Sequence, residues 1–272
     1  MTGEEWRGLS DQAHELWNEI APFWDDKMAE GNAFQRLLIG PVTERLLEVR
    51  PGQTVLDIAC GNGAFTRRLA ALGASVVAFD FSEVFVQRAR VRTHLHSERI
   101  EYRVLDATDP EQLRTLGTGR FDAAVANMTF MDMAAVEPLL DALPTLLAPG
   151  ARFVFSMLHP CFNSVGSSKI AEEEDHAGEL VNRLGVKVTG YITPVAQRGL
   201  GMIGQPTPQL YFHRPLSALL NACFDAGFVL DRLEEPVFTG DGQPDRPFSW
   251  LNFRELPPVL VARLRSQRTS ER

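Results

Sequence analysis

Gly61 and Gly63, within VLDIACGNGAF (55–65), are residues that let a backbone turn sharply and leave room for a ligand to lie against it. About 20 residues further on, ASVVAFDFS ends an apolar run in Asp80. In an open α/β sheet an acid at the end of the second strand accepts hydrogen bonds from both hydroxyls of a ribose. Loop, strand and acid together point to an adenosine-containing ligand. The loop's details narrow the choice. A pyrophosphate cradle wants G-x-G-x-x-G and a free helix N-terminus, yet Thr66 stands at the third glycine's place and Asp57 lies within the strand's end. An acid there opposes a pyrophosphate and suits a cationic amine or sulfonium.

These residues need a frame. Val55, Leu56 and Ile58 form the short apolar run of a strand covered on both faces. Ala64 to Leu72 follows with helical spacing, Phe65, Leu69 and Leu72 on one face and Arg67 and Arg68 away from it. Ser82 is placed to cap the helix that begins SEVFVQRARVRTH, on which Arg88, Arg90 and Arg92 read as a solvated face. IEYRVLDATDP, FDAAVANMTFMDM and LLAPGARFVFSMLHPCF supply further strands, the last introduced by a Pro149-Gly150 turn.

In this order the segments resemble the class I S-adenosylmethionine-dependent methyltransferases of small-molecule type, whose first motif has the form hhD/E-h-G/A-x-G-x-G. The resemblance covers most of the chain. It implies a doubly wound, seven-stranded, mostly parallel α/β sheet (a Rossmann-like fold), with LNACFDAGFVLDRLEEP giving a helix and sixth strand and PPVLVARLR the last. It also implies S-adenosylmethionine as cofactor and S-adenosylhomocysteine as product. Site residues follow by position: Asp57, Ala59, Gly61 and Gly63 in the loop; Asp80 and Phe81 after the second strand; Asp106 at the adenine amino group with Ala107; and Asn127 and Met128 beneath the methionine part. Trp24, near Asp25, Lys27 and Met28, resembles the N-terminal segment that closes over the cofactor.

A methyl on a sulfonium is already activated, so holding the acceptor in line and excluding water supplies most of the acceleration, up to about 7–11 kcal/mol. An oxygen or nitrogen acceptor also loses a proton, and histidine is the side chain suited to take it near neutral pH. His159, just beyond the fifth strand, and His213, before a helix starting near Pro215, are the candidates; His94 and His96 read as surface residues. No His, Cys or acid pair has metal-ligand spacing, and no metal is expected.

Outside this frame, residues 1–50 read as an N-terminal helical cap, with a helix over Asp11 to Ile20. Residues 51–272 read as the methyltransferase domain, interrupted at about 160–211 by a long irregular insertion in which only VKVTGYI reads as a strand. Cap and insertion are expected to close together over the site, and the insertion to shape the acceptor pocket. The closing SQRTSER reads as a disordered tail. A net charge of -8 argues against a nucleic-acid groove, so the expected partner is a small-molecule acceptor, with the chain a monomer or homodimer. Three cysteines without C-x-x-C spacing read as reduced thiols. No leader and no run of about 18 apolar residues is visible, which points to the cytoplasm and away from membranes. A non-catalytic adenosylmethionine-binding protein and an NAD-dependent oxidoreductase are the rival readings. The second leaves Asp57 and Asp106 without a role.

Overall fold

The computed structural model describes residues 3–267. Seven strands form one sheet: β1 (Thr54–Ile58), β2 (Ser75–Asp80), β3 (Ile100–Val104), β4 (Phe121–Asn127), β5 (Leu147–Leu158), β10 (Phe228–Glu234) and β11 (Val259–Ser266). Their order is β10-β11-β5-β4-β1-β2-β3. Only β11 runs against the rest, because it pairs antiparallel with both β5 and β10. The chain leaves β1 toward β2 on one side and returns to place β4 on the other, so the order reverses between β1 and β4. A crevice opens at the strands' carboxyl ends there.

The sequence pattern explains the core. Val55 and Leu56 of β1 and Ala123 to Ala126 of β4 are buried, and the small β4 side chains leave room for Phe130, Phe153 and Phe155. Phe130 stacks on Phe155 with centroids 4.8 Å apart. The crossover helices α3 (Ala64–Ala71), α4 (Glu83–Arg92), α5 (Pro110–Arg114), α6 (Glu137–Leu146) and α7 (Leu216–Asp225) flank the sheet. Ser82 caps α4, accepting from Phe85 N at 3.2 Å. Of the closing polar run, Ser266 ends β11 and residues 268–272 lie outside the described residues.

The cap differs from its expected form. It is one long helix, α1 (Gly3–Met28), followed by a π-helical turn Phe34–Ile39 and α2 (Gly40–Leu47). Ala13, Leu16, Ile20 and Ala21 recur at helical spacing and are buried, which carries the helix past the expected end at Ile20. The arginines of α4 are not a free solvated face. Arg88 and Arg92 both pair with the buried Asp25 of α1, at 2.7 and 2.5 Å, and Arg90 donates to Tyr102 O.

The insertion is also more regular than expected. β6 (Ser167–His176) and β7 (Glu179–Val188) form an antiparallel ribbon, and β8 (Val195–Gly199) pairs with β9 (Gln209–His213). The acidic run Glu172 to Asp175 lies inside β6, where Arg183 of the facing strand pairs with Glu174 at 2.8 Å. Both faces of this ribbon are largely exposed, so no apolar alternation marks its strands. Cross-strand charge pairing takes that place. VKVTGYI is only partly strand, since β7 ends at Val188.

Candidate active site

The floor of the crevice is fixed by backbone. Ala59, Gly61 and Gly63 have φ of +52, +53 and +76°, so the chain leaving β1 turns through left-handed conformations that suit glycine. Asp80 locks this loop to β2: its Oδ2 accepts from Gly61 N and its Oδ1 from Ser82 N, each at 2.9 Å. Asp57 is buried beneath and accepts from Thr66 Oγ1 at 2.5 Å. Burial pushes the Asp57 carboxyl up to about 7 against the pull of Thr66, and the Asp80 charge adds to the rise. Burial likewise pushes Asp80 up to about 6, opposed by the Ser82 and Gly61 amides and by His14. Asp106 Oδ1 accepts from Thr108 N and Oγ1 at 2.7 and 2.8 Å. Asn127 Oδ1 accepts from Thr43 and Ser156 hydroxyls at 3.1 and 3.0 Å, while its buried Nδ2 finds no partner among the described residues.

The roof is built from side chains of α1 and the loop after β4, with the β8–β9 hairpin packed behind them. Asp25 is 2% exposed and, besides Arg88 and Arg92, accepts from Asn62 of the glycine loop at 3.1 Å. That contact ties the cap helix to the floor. Trp24 lies 5.5 Å from Trp17 between ring centroids, and its buried Nε1 has no partner among the described residues. Gly201 fits against it so closely that a Cβ would sit 2.5 Å from the indole and 2.7 Å from the Tyr211 hydroxyl. Arg214, 8% exposed, donates to the carbonyls of Phe130, Met133 and Ala134 and so pins the loop after β4.

Between floor and roof lies a cavity of about 930 Å³. Trp24, Asp57, Ala59, Gly61, Asp80, Phe81, Asp106, Ala107, Asn127 and Met128 all line it. Gly63 does not. It stands at the N-cap of α3, and a Cβ there would lie 2.4 Å from the Tyr102 hydroxyl, so its role is close packing of helix on strand. A Cβ on Gly61 would meet no protein atom within 4 Å.

Neither His159 nor His213 is brought to the cavity wall. His159 is 1% exposed, with Nε2 2.7 Å from Glu235 and Nδ1 accepting from Cys161 N at 3.1 Å; burial lowers its pKa despite the Glu235 carboxylate. His213 Nε2 lies 2.6 Å from Tyr191 O. Both rings tie the insertion and its flanks together. Asp132 and Met133 line the cavity without having been singled out by sequence. The one signal for Asp132 is an acid inside the apolar run FMDMAAV. Among the described residues no group of three His, Cys, Asp or Glu side chains could hold a metal, and no helix is long and apolar enough to cross a membrane.

Residues 56–155 match the methyltransferase domain family. An uncharacterized protein of Haemophilus influenzae is 22% identical over 259 residues, covering 91% of this chain and 98% of that one. The ubiquinone biosynthesis O-methyltransferase of Xanthomonas campestris is 34% identical over 113 residues, 40% of this chain and only 44% of that enzyme's length. Among solved structures, an S-adenosylmethionine-dependent methyltransferase from Mesorhizobium loti superposes with a TM-score of 0.64 at 24% identity, covering 83% of this chain and 96% of that one. The 1,6-didemethyltoxoflavin N1-methyltransferase of Burkholderia thailandensis, solved with its substrate and S-adenosylhomocysteine, gives 0.55 at 19% identity over 98% and 92% of the two chains. Residues 56–155 thus match the methyltransferase domain family, and the seven-stranded sheet that contains them is the fold of the solved methyltransferases named above.

Proposed function

We propose that this chain methylates a small-molecule acceptor held between the floor and the roof. One observation carries the reading: a single cavity joins the Gly61 loop, the carboxylates of Asp57, Asp80 and Asp106, and two buried donors without partners among the described residues, Trp24 Nε1 and Asn127 Nδ2. That donor and acceptor set fits S-adenosylmethionine. The acids suit a sulfonium and the hydrogens of ribose and adenine, and the orphaned donors suit ligand oxygens. At about 930 Å³ the space is at the upper end of the ordinary ligand-site range of ~300–1,000 Å³, enough for a nucleoside cofactor and a modest acceptor together.

The bound cofactor would supply a methyl group on a cationic sulfur. Asp80 would accept from the ribose hydroxyls and Asp106 from the adenine amino group, with Phe81 and Ala107 flanking the base. Asn127 and Met128 would lie under the methionine part, and Trp24 would cover it. Residues 1–50 and the insertion at about 160–211 would together exclude water from the reacting atoms and shape the acceptor's seat. The similar proteins named as a ubiquinone biosynthesis O-methyltransferase and a 1,6-didemethyltoxoflavin N1-methyltransferase agree in kind with a small acceptor.

The test is a metabolite panel incubated with methyl-labelled S-adenosylmethionine and read by mass spectrometry for the gain of one methyl group. Calorimetry with S-adenosylhomocysteine and NAD accompanies it. Binding of the first and not the second is expected; the reverse would return the site to an oxidoreductase.

A further inference from the structure

The proposed transfer asks for a proton acceptor near the methyl group, and none of the six histidines lines the cavity. The acids of the wall are mostly committed. Glu30, Glu44 and Glu48 are paired with Arg67, Arg68 and Arg263 at 2.9, 2.8 and 2.7 Å, and Asp80 is held by two backbone amides. Asp132 is different. It stands in the cavity wall four residues beyond Met128, where the chain rises from floor to roof. Among the described residues it has no cationic partner, and unlike Asp57, Asp80 and Asp106 it is given no part in holding the cofactor. Its Oδ1 accepts from Gln209 Nε2 at 3.1 Å, and its Oδ2 takes no hydrogen bond from the described residues.

Everything around this carboxylate aims it. Gln205 Oε1 accepts from Gly201 N at 3.0 Å, and Gln205 Nε2 donates to Thr207 O at 2.8 Å and to Gln209 Oε1 at 3.3 Å. A backbone N–H and a carbonyl cannot exchange roles, so they fix which way the Gln205 amide faces. That in turn fixes Gln209 with its NH2 toward Asp132. Both glutamines are nearly fully buried, at 5% and 1% exposure. The loop itself is stitched down by Arg214 on the carbonyls flanking Asp132, by Asp132 N donating to Thr129 O at 2.8 Å and by Phe212 N donating to Met131 O at 2.7 Å.

We propose that Asp132 is the catalytic base of the transfer, its free Oδ2 taking the proton of the acceptor's hydroxyl or amine. As the acceptor atom attacks, a bond forms between it and the methyl carbon. The carbon–sulfur bond breaks, and its electron pair stays on sulfur to leave the neutral thioether. The acceptor's former bond to hydrogen leaves its pair on the acceptor atom, and the proton passes to Asp132 and then to solvent when the products leave. Burial pushes the Asp132 carboxyl well above the ordinary carboxylate range against the pull of Gln209, and the Asp80 charge adds to the rise.

The inference rests on the methyltransferase reading, and its test keeps the two apart without needing the acceptor. Sinefungin carries an amine on a carbon in place of the methylsulfonium, so it presents a cation where the transferred methyl would be. S-adenosylhomocysteine presents nothing there. Calorimetry on the wild type and Asp132→Asn is expected to show equal affinity for S-adenosylhomocysteine, with the preference for sinefungin over it falling about 10-fold in the variant. An unchanged preference overturns Asp132 as the base while leaving the methyltransferase reading intact. Failure of the wild type to bind either compound overturns that reading itself. Should Asp132→Asn not fold, Gln209→Met leaves the carboxylate present but unaimed. The same preference is then expected to fall about 3-fold, and no fall overturns the proposal.

Discussion

Floor and roof meet across the same cavity but are held by different forces. The floor is held by left-handed backbone at Ala59 and Gly61 and by amides donated to Asp80. The roof is held by side chains: Asp25 between Arg88 and Arg92, Gly201 under Trp24, and Arg214 on three carbonyls. Backbone bonds within a sheet's crevice leave little freedom, whereas contacts between long side chains can part and re-form. Under the proposed function the floor would recognise a constant ligand, and the roof would select and enclose a variable one.

The sharpest way to break the comparison is Gly61→Val. The position has φ +53°, where a β-branched residue is strained by roughly 1–2 kcal/mol, while its Cβ would meet no protein atom within 4 Å. Affinity for S-adenosylhomocysteine is expected to fall by about 100-fold or more with circular dichroism unchanged. Normal binding would mean that the floor is not the cradle. Asp80→Ala comes next. It removes the acceptor of a charged hydrogen bond and frees the Gly61 and Ser82 amides as well, for a loss of roughly 1.5–3 kcal/mol in the same titration.

The two regions were not equally legible. The glycine loop, the acids at strand ends and the order of apolar runs are local signals, and they led to the seven-stranded sheet and to Asp57, Ala59, Gly61, Asp80, Phe81, Asp106, Ala107, Asn127 and Met128, which line the cavity. Gly63 was the exception, because a packing glycine and a ligand-facing glycine look alike until Tyr102 is seen beside it. The roof depends on contacts distant in sequence. Asp25 with Arg92 and Gly201 with Trp24 carry no local pattern, and the arginines of α4 looked solvated for want of their partner. The exposed β6–β7 ribbon hides for another reason, since neither of its faces packs a core. His159 and His213 were drawn by chemistry to the rim, where position alone could not show that their nitrogens already had partners.

A smaller effect is expected when the roof alone is disturbed. Gly201→Val drives methyl groups into Trp24 and Tyr211, and overpacking of this kind costs ~1–3 kcal/mol. Because the floor stays intact, stopped-flow measurements should show S-adenosylhomocysteine associating normally and leaving about 10-fold faster. An unchanged release rate would make the roof a packing element and erase the distinction between the regions.

The smallest effect, and the one that probes the floor's electrostatics, is the pH dependence carried by Asp57. Its carboxyl is pushed up to about 7 in the folded protein, against an ordinary 3.8, chiefly by burial. Between about pH 4 and pH 7 the folded state therefore holds a proton that the unfolded chain has released. The group's contribution to stability is present in full below about pH 4 and is lost as pH rises through 7. Asp80 acts in the same direction with a folded value of about 6, so the two must be separated by difference. Asp57→Asn keeps an acceptor for Thr66 Oγ1 but cannot ionise. The melting temperature of the variant minus that of the wild type should accordingly increase from pH 4 to pH 8. A cation bound above the floor favours the ionised acid, so S-adenosylmethionine should stabilise the wild type over S-adenosylhomocysteine by more at pH 8 than at pH 5. That gain should shrink in Asp57→Asn. A pH-independent difference between variant and wild type would mean that Asp57 does not titrate in this range.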